Sequence, residues 1–166
     1  SVNKMSSTYI DGERLKIDTL QPGDTAPNFS ALSLGGEEIT LKDFNNLRVA
    51  FIFVSSKCEP CKTRIPEIEK VFPAAKDAGI EFVFVTNDDF DEANDFFGAL
   101  NGNIKTLMVP KQNNAFRDEY KIFGTPSFCL VNSKGIIQEI GFFDQKWTSL
   151  VMEWVEIAIG KAKITG

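Results

Sequence analysis

From Arg48 to Val54 the chain is almost continuously apolar and rich in Val, Ile and Phe, the pattern of a strand buried on both faces in the middle of a sheet. Two cysteines three positions apart, Cys58 and Cys61, follow at once. Beyond them Ile65, Ile68, Val71, Phe72 and Ala75 recur at helical spacing up to Gly79, a residue suited to a helix end. The spacing predicts a helix over Glu59 to Asp77, kinked at Pro66, which removes one backbone donor. A second buried strand, Ile80 to Thr86, comes directly after. Asn87-Asp88-Asp89 then offers cap residues for a helix carrying Ala93, Phe96, Phe97 and Leu100.

This β-α-β-α order organises the rest. Ile104 to Val109 reads as a short strand closed by Pro110, and Asn113 to Tyr120 as a short helix. Ser127 to Val131 and Ile136 to Gly141 flank a turn at Asn132-Ser-Lys-Gly135 and form a hairpin. The last segment places Trp147, Leu150, Val151, Trp154, Val155, Ala158 and Ile159 on one helical stripe, ending at Gly160. Ahead of the central strand, Ser30 to Leu34 and Glu38 to Leu41 around Gly35-Gly36 form an N-terminal β-hairpin extension, read as a structural cover. Residues 1 to 22 are polar apart from Tyr9-Ile10 and Leu15-Lys-Ile17, and read as an irregular arm ahead of a domain over 23 to 166. The sum is an α/β domain with a mixed sheet covered by helices on both faces.

At 166 residues with 43% hydrophobic side chains, the chain is long enough to bury one substantial core. Its 18 basic and 23 acidic residues give a net charge of −5 with no Lys/Arg-rich block, which argues against nucleic acid as a partner. No apolar run approaches the roughly 18 residues of a membrane span.

Histidine is absent, which removes His-activated nucleophiles and His metal ligands. Three cysteines are too few for a disulfide framework or a four-cysteine zinc site. A Cys-x-x-Cys pair at a strand-to-helix junction has a different use. It puts the first sulfur at a helix N-terminus, where unpaired N–H groups and the macrodipole favour a thiolate. Cys58 is then a candidate nucleophile and Cys61, one turn on, its resolver. Lys57 and Lys62 add to this and Glu59 opposes it, so a reductant is favoured over a strong oxidant. Half a zinc site or two core cysteines are the plainer readings of such a pair. Lys62 excludes the haem-attachment form, which needs histidine there.

In order along the chain, Gly23-Asp-Thr-Ala-Pro-Asn-Phe29, Cys58-Glu-Pro-Cys61, Pro66, Gly124-Thr-Pro126 and Asn132-Ser-Lys-Gly135 resemble the thioredoxin-like proteins of the TlpA/ResA class, extracytoplasmic thiol-disulfide oxidoreductases of bacteria related to the redoxin and AhpC/TSA proteins. The resemblance covers about residues 23 to 160. It implies a thioredoxin-like fold and a redox-active Cys58–Cys61 disulfide with no other cofactor and no metal. Pro60 would lie between the cysteines and Pro126 would be a cis proline against them, with Thr125 offering backbone groups to an incoming peptide. A carboxylate near the pair would accept a proton, and Asp89 is the positional match, with Asp88 adjacent and plain helix capping as its other reading. The same resemblance implies protein thiol and disulfide substrates such as apocytochrome c in cytochrome c maturation, an upstream redox partner, a monomer, and a location outside the cytoplasmic membrane, with residues 1 to 22 next to an N-terminal anchor.

Lys57 departs from the family, which usually has Trp before the first cysteine, so a flat apolar rim is lost. Cys129, in an apolar strand after Pro126, reads as a buried inert thiol, with a third redox partner as the other reading. Two further functions remain open. Phe51-x-x-x-Ser55-x-x-Cys58 partly follows the peroxiredoxin pattern, lacking its proline, with Arg117 and Arg64 as the arginines available. A non-catalytic module carrying copper or zinc on the same thiolates is the third.

Overall fold

Along the central strand, Arg48–Phe53, side chains alternate between two buried layers, with Val49, Phe51 and Phe53 on one face and Ala50 and Ile52 on the other. That alternation with apolar residues on both sides requires cover on both faces of the sheet. The computed structural model describes residues 6–10, 13–17, 19–100 and 103–165, with side chains over 19–100 and 103–161.

The strands are β1 (Ser6–Ile10), β2 (Glu13–Ile17), β3 (Ser30–Ser33), β4 (Glu38–Thr40), β5 (Arg48–Phe53), β6 (Ile80–Thr86), β7 (Lys105–Met108), β8 (Ser127–Val131) and β9 (Ile137–Phe142). The helices are α1 (Glu59–Asp77), α2 (Phe90–Phe97), α3 (Ala115–Asp118) and α4 (Gln145–Thr165). Seven strands form one sheet in the order β4-β3-β7-β6-β5-β8-β9. β6 runs parallel to β5 and β7 parallel to β6, while β8 and β9 continue antiparallel on the other side. The β3–β4 hairpin adds antiparallel to β7, so the predicted extension is part of the main sheet.

The two faces are covered unequally. Ile65, Ile68, Phe72 and Ala75 of α1, Ala93 and Phe97 of α2, and Trp147 and Trp154 of α4 all bury against one face. The other face is closed by Phe29, Ile39, Phe44, Phe116 and Tyr120, from loops, hairpin and the single-turn α3. The Tyr120 hydroxyl donates to the Pro27 carbonyl, tying α3 to the N-terminal cover. Burial raises its phenol well above the usual range. Each wholly buried ring here contributes on the order of 1.5–3 kcal/mol.

Two expectations are corrected. Residues 6–10 and 13–17 are not irregular, because β1 and β2 pair antiparallel in a sheet of their own, with Tyr9 opposite Arg14. The signal was Asp11-Gly12, a pair favoured in two-residue hairpin loops, between flanks too polar to read as strands. The last helix does not stop at Gly160 but continues to Thr165. A glycine inside a helix costs only about 1 kcal/mol, and just past it the Lys161 ammonium donates to the Asp77 carbonyl at the end of α1, 2.6 Å away. Helix α1 runs through both Pro66 and Pro73 over its expected span.

Candidate active site

The central strand ends and α1 begins within five residues, and backbone bonding fixes that passage. The Cys58 amide donates to the Ser55 carbonyl at 3.2 Å, and the Lys57 amide to the Ser55 hydroxyl at 3.1 Å. Cys58 is the N-cap of α1 in extended conformation, and its sulfur accepts the Cys61 amide at 3.2 Å. Pro60 sits in the first turn, where its missing N–H has no intrahelical acceptor to lose. Cys58 and Cys61 are joined in a disulfide with Cα atoms 5.2 Å apart. Cys61 is wholly buried and Cys58 partly exposed, so a partner reaches the first sulfur only.

The second wall comes from the far side of β5. β8 pairs with it so that Ser127 lies opposite Phe53, which delivers Thr125-Pro126 to the disulfide. The Thr125–Pro126 peptide bond is cis. The Thr125 carbonyl lies 3.7 Å from the Cys58 sulfur. The Ser127 hydroxyl donates to the Gly124 carbonyl at 2.8 Å and braces the turn.

A family model described as the AhpC/TSA family matches residues 22–140. The chain belongs to this family. It is 33% identical over 131 residues to a thiol-disulfide oxidoreductase ResA from Bacillus thuringiensis (strain Al Hakam), covering 79% of this chain and 72% of that protein. A ResA from Bacillus thuringiensis subsp. konkukian is 28% identical over 134 residues, 80% of this chain and 77% of the relative. Among solved structures, the thioredoxin domain of a thiol-disulfide oxidoreductase from Bacteroides vulgatus aligns with a TM-score of 0.66 at 24% identity, covering 82% of this chain and 99% of that one. A thiol:disulfide interchange protein from Bacteroides sp. aligns equally well, at 24% identity over 82% and 91% of the two chains. The fold is thioredoxin-like. With ResA relatives and a Cys-x-x-Cys disulfide at the strand-to-helix junction, this AhpC/TSA member is a thiol-disulfide oxidoreductase.

The two carboxylates after β6 divide sharply. Asp89 is exposed and is the N-cap of α2, accepting the Glu92 amide at 2.9 Å while Glu92 reaches back to the Asp89 amide at 3.1 Å. This is a reciprocal capping box. Asp88 is buried, 5% exposed, and turns to the other side. It accepts the Ser55 hydroxyl at 3.1 Å and the Ser56 amide at 2.9 Å, holding the loop that presents Cys58. Asp88 is therefore the carboxylate that the fold builds into the active-site loop.

The flanking charges are paired at the surface. Lys57 binds Glu92, Lys62 lies 3.1 Å from Glu59, and Arg64 lies 3.4 Å from Glu67 and over the Phe143 ring. Glu92 raises the Lys57 ammonium above its usual value, first through their hydrogen bond, and Lys57 lowers the Glu92 carboxyl in return. Cys129 lies in the middle of β8, opposite Phe51 and Ile140, and burial pushes its thiol far up. Among the described residues no group of three or more His, Cys, Asp or Glu side chains could hold a metal ion. Two neighbours of the site had no sequence signal, Phe123 and Phe142. Phe123 belongs to no apolar period, and for Phe142 it is the pairing of β9 with β8, Phe142 opposite Ser127, that brings the ring beside Gly124 and Thr125.

Proposed function

We propose that this oxidoreductase reduces disulfides in protein substrates outside the cytoplasm, with Cys58 as nucleophile and Cys61 as resolver. The carrying observation is that Cys58, the more exposed sulfur, accepts a main-chain N–H at the N-terminus of a 19-residue helix. That N–H and the helix dipole favour the thiolate without any histidine.

In the reduced enzyme, the Cys58 thiolate attacks one sulfur of a substrate disulfide. A mixed disulfide forms and the other substrate sulfur leaves as a thiolate. Cys61 then loses its proton to that departing thiolate and attacks the Cys58 sulfur, which expels the second substrate sulfur and closes the Cys58–Cys61 bond. Two electrons pass from the enzyme dithiol to the substrate, and an upstream thiol donor must restore them. The Thr125 carbonyl beside Cys58, on an exposed loop, supports binding of an extended substrate segment by main-chain pairing. Asp88 acts through Ser55 and Ser56 as a positioning residue. The resemblance to the TlpA/ResA class supports the extracytoplasmic setting, a monomeric enzyme and an anchor beyond residues 1 to 22.

The test is a trapping experiment. Reduced Cys61→Ser protein, mixed with a disulfide-bonded protein such as insulin, is expected to accumulate a mixed disulfide at Cys58 that survives non-reducing electrophoresis. Absence of both the trapped species and insulin reduction by the unmodified enzyme overturns the reading. One observation favours a second activity, thiol peroxidase: Arg117 lines the same cavity as Cys58. Rapid peroxide consumption that persists in Cys61→Ala supports that reading instead.

A further inference from the structure

Cavities of about 390 Å³ and about 400 Å³ lie on either side of Thr125, the first reaching Cys58 and the second running over Pro60 and Pro126. Phe123 stands at the first and Phe142 at the second. They are 77% and 62% exposed, the two most exposed large apolar side chains among the described residues. The Phe142 ring lies close against the backbone, since a Cβ at Gly124 would meet it at 3.0 Å. Glycine there lets the ring lie against the loop that carries Thr125. Water covers both rings at a free surface, and a partner's apolar side chain replacing that water is the favourable outcome.

Charge narrows the partner further. The ionisable side chains lining the two cavities are Lys57, Lys111 and Arg117 on one side and Arg64 on the other, with no Asp or Glu in either lining among the described residues. The carboxylates that pair with them, Glu92, Asp118 and Glu67, lie outside both linings. This cationic surround belongs to a chain of net charge −5. Arg117 also donates to the Lys111 carbonyl, which holds the two cations together.

We propose that the site selects protein disulfides set in acidic segments with a large apolar residue beside the target cysteine, the apolar side chain packing on Phe123 and Phe142 and a carboxylate pairing with Lys111 and Arg117. This rests on the thiol-disulfide reading and names its substrate class. The apolar grip missing at Lys57 is then supplied from the opposite rim.

Four synthetic peptides test it, each closed by a disulfide in a ring of the same size and differing only beside one cysteine: Leu with Glu, Leu with Lys, Gly with Glu, and Gly with Lys. Reduction by the full chain, recycled by a chemical dithiol, is expected to be fastest for Leu with Glu, by about tenfold in kcat/KM over either single change. The Glu preference should shrink as salt rises from low concentration to about 1 M, where the Debye length is about 3 Å. Phe123→Ser with Phe142→Ser should remove the Leu preference while a Leu47→Ser control keeps it, and Lys111→Glu with Arg117→Glu should invert the charge preference. Equal rates for the four peptides, or a preference for Lys, overturn the inference and leave the oxidoreductase reading standing. Four inert peptides together with no trapped species in Cys61→Ser overturn both.

Discussion

The three cysteines occupy two regions of one sheet, and the sheet separates them. Cys61 belongs to the layer beneath α1, with Cys58 packed against it, whereas Cys129 belongs to the opposite layer with Phe51 and Val131. Cys129 is only three positions after Pro126, which lines one cavity with Pro60 of the Cys-x-x-Cys turn, yet β5 and β8 stand between its side chain and the pair. The difference is one of environment rather than residue type. A helix N-terminus offers Cys58 a main-chain donor and an opening to solvent. The middle of β8 offers Cys129 apolar neighbours and no exposure. A third thiol in the redox cycle has no place in this geometry.

Removing one thiol from each region gives the largest contrast. Cys58→Ser is expected to lower disulfide reduction by at least about a thousandfold, measured by insulin turnover, and Cys129→Ala to leave it within about twofold. A large loss in Cys129→Ala would break the comparison. Stability should respond the other way. Cys129→Ser places a hydroxyl among apolar side chains and should cost about 1–3 kcal/mol in denaturant unfolding. A neutral result there would mean that water reaches β8.

The raised Cys129 thiol makes a third, smaller contrast with pH. Its folded value lies above the unfolded one of about 8.5, so the folded state keeps a proton that the unfolded chain releases. The stabilisation is complete below the unfolded value and is lost as pH rises through the window above it, at up to about 1.4 kcal/mol per pH unit. Tyr120, raised in the same sense by burial, adds to the loss above about pH 10. Unfolding curves of the native chain and Cys129→Ala, measured between pH 8 and 10, should diverge with the native chain falling faster. Parallel curves would show that Cys129 titrates as in solvent.

What the sequence made legible follows the same division between local and tertiary causes. The apolar run, the cysteine spacing and the stop at Gly79 are local, and helix α1 has the predicted bounds Glu59–Asp77. Pro126 and Thr125 came from resemblance, and β8 pairing with β5 is the physical reason they meet the disulfide. Asp88 and Asp89 were indistinguishable as adjacent acids after a strand. Only the packing of the Ser55–Lys57 loop under β6 turns one inward to Ser55 and leaves the other to cap α2. The departure at Lys57 was legible, but not the approach of Phe142 to the Thr125 loop, because the pairing of β9 with β8 brings that ring within reach of Gly124.

The smallest expected effect lies at the surface edge of the reactive region. Lys57 is exposed and Glu92 only half-buried, so solvent screening leaves their bond little weight for the fold. Its pH sense follows from the lowered Glu92 carboxyl: the contribution is present above the usual carboxylate value and fades as pH falls. Its chemical sense is clearer. Glu92→Gln leaves the Lys57 ammonium unpaired one residue from Cys58, which favours the Cys58 thiolate and should speed its alkylation at neutral pH by no more than about fivefold. Lys57→Gln should slow it by a similar factor, and both effects should vanish near 1 M salt. A change above tenfold in either variant would mean that this side-chain pair, rather than the end of α1, activates Cys58, and the contrast with Cys129 would then rest on charge rather than on helix position.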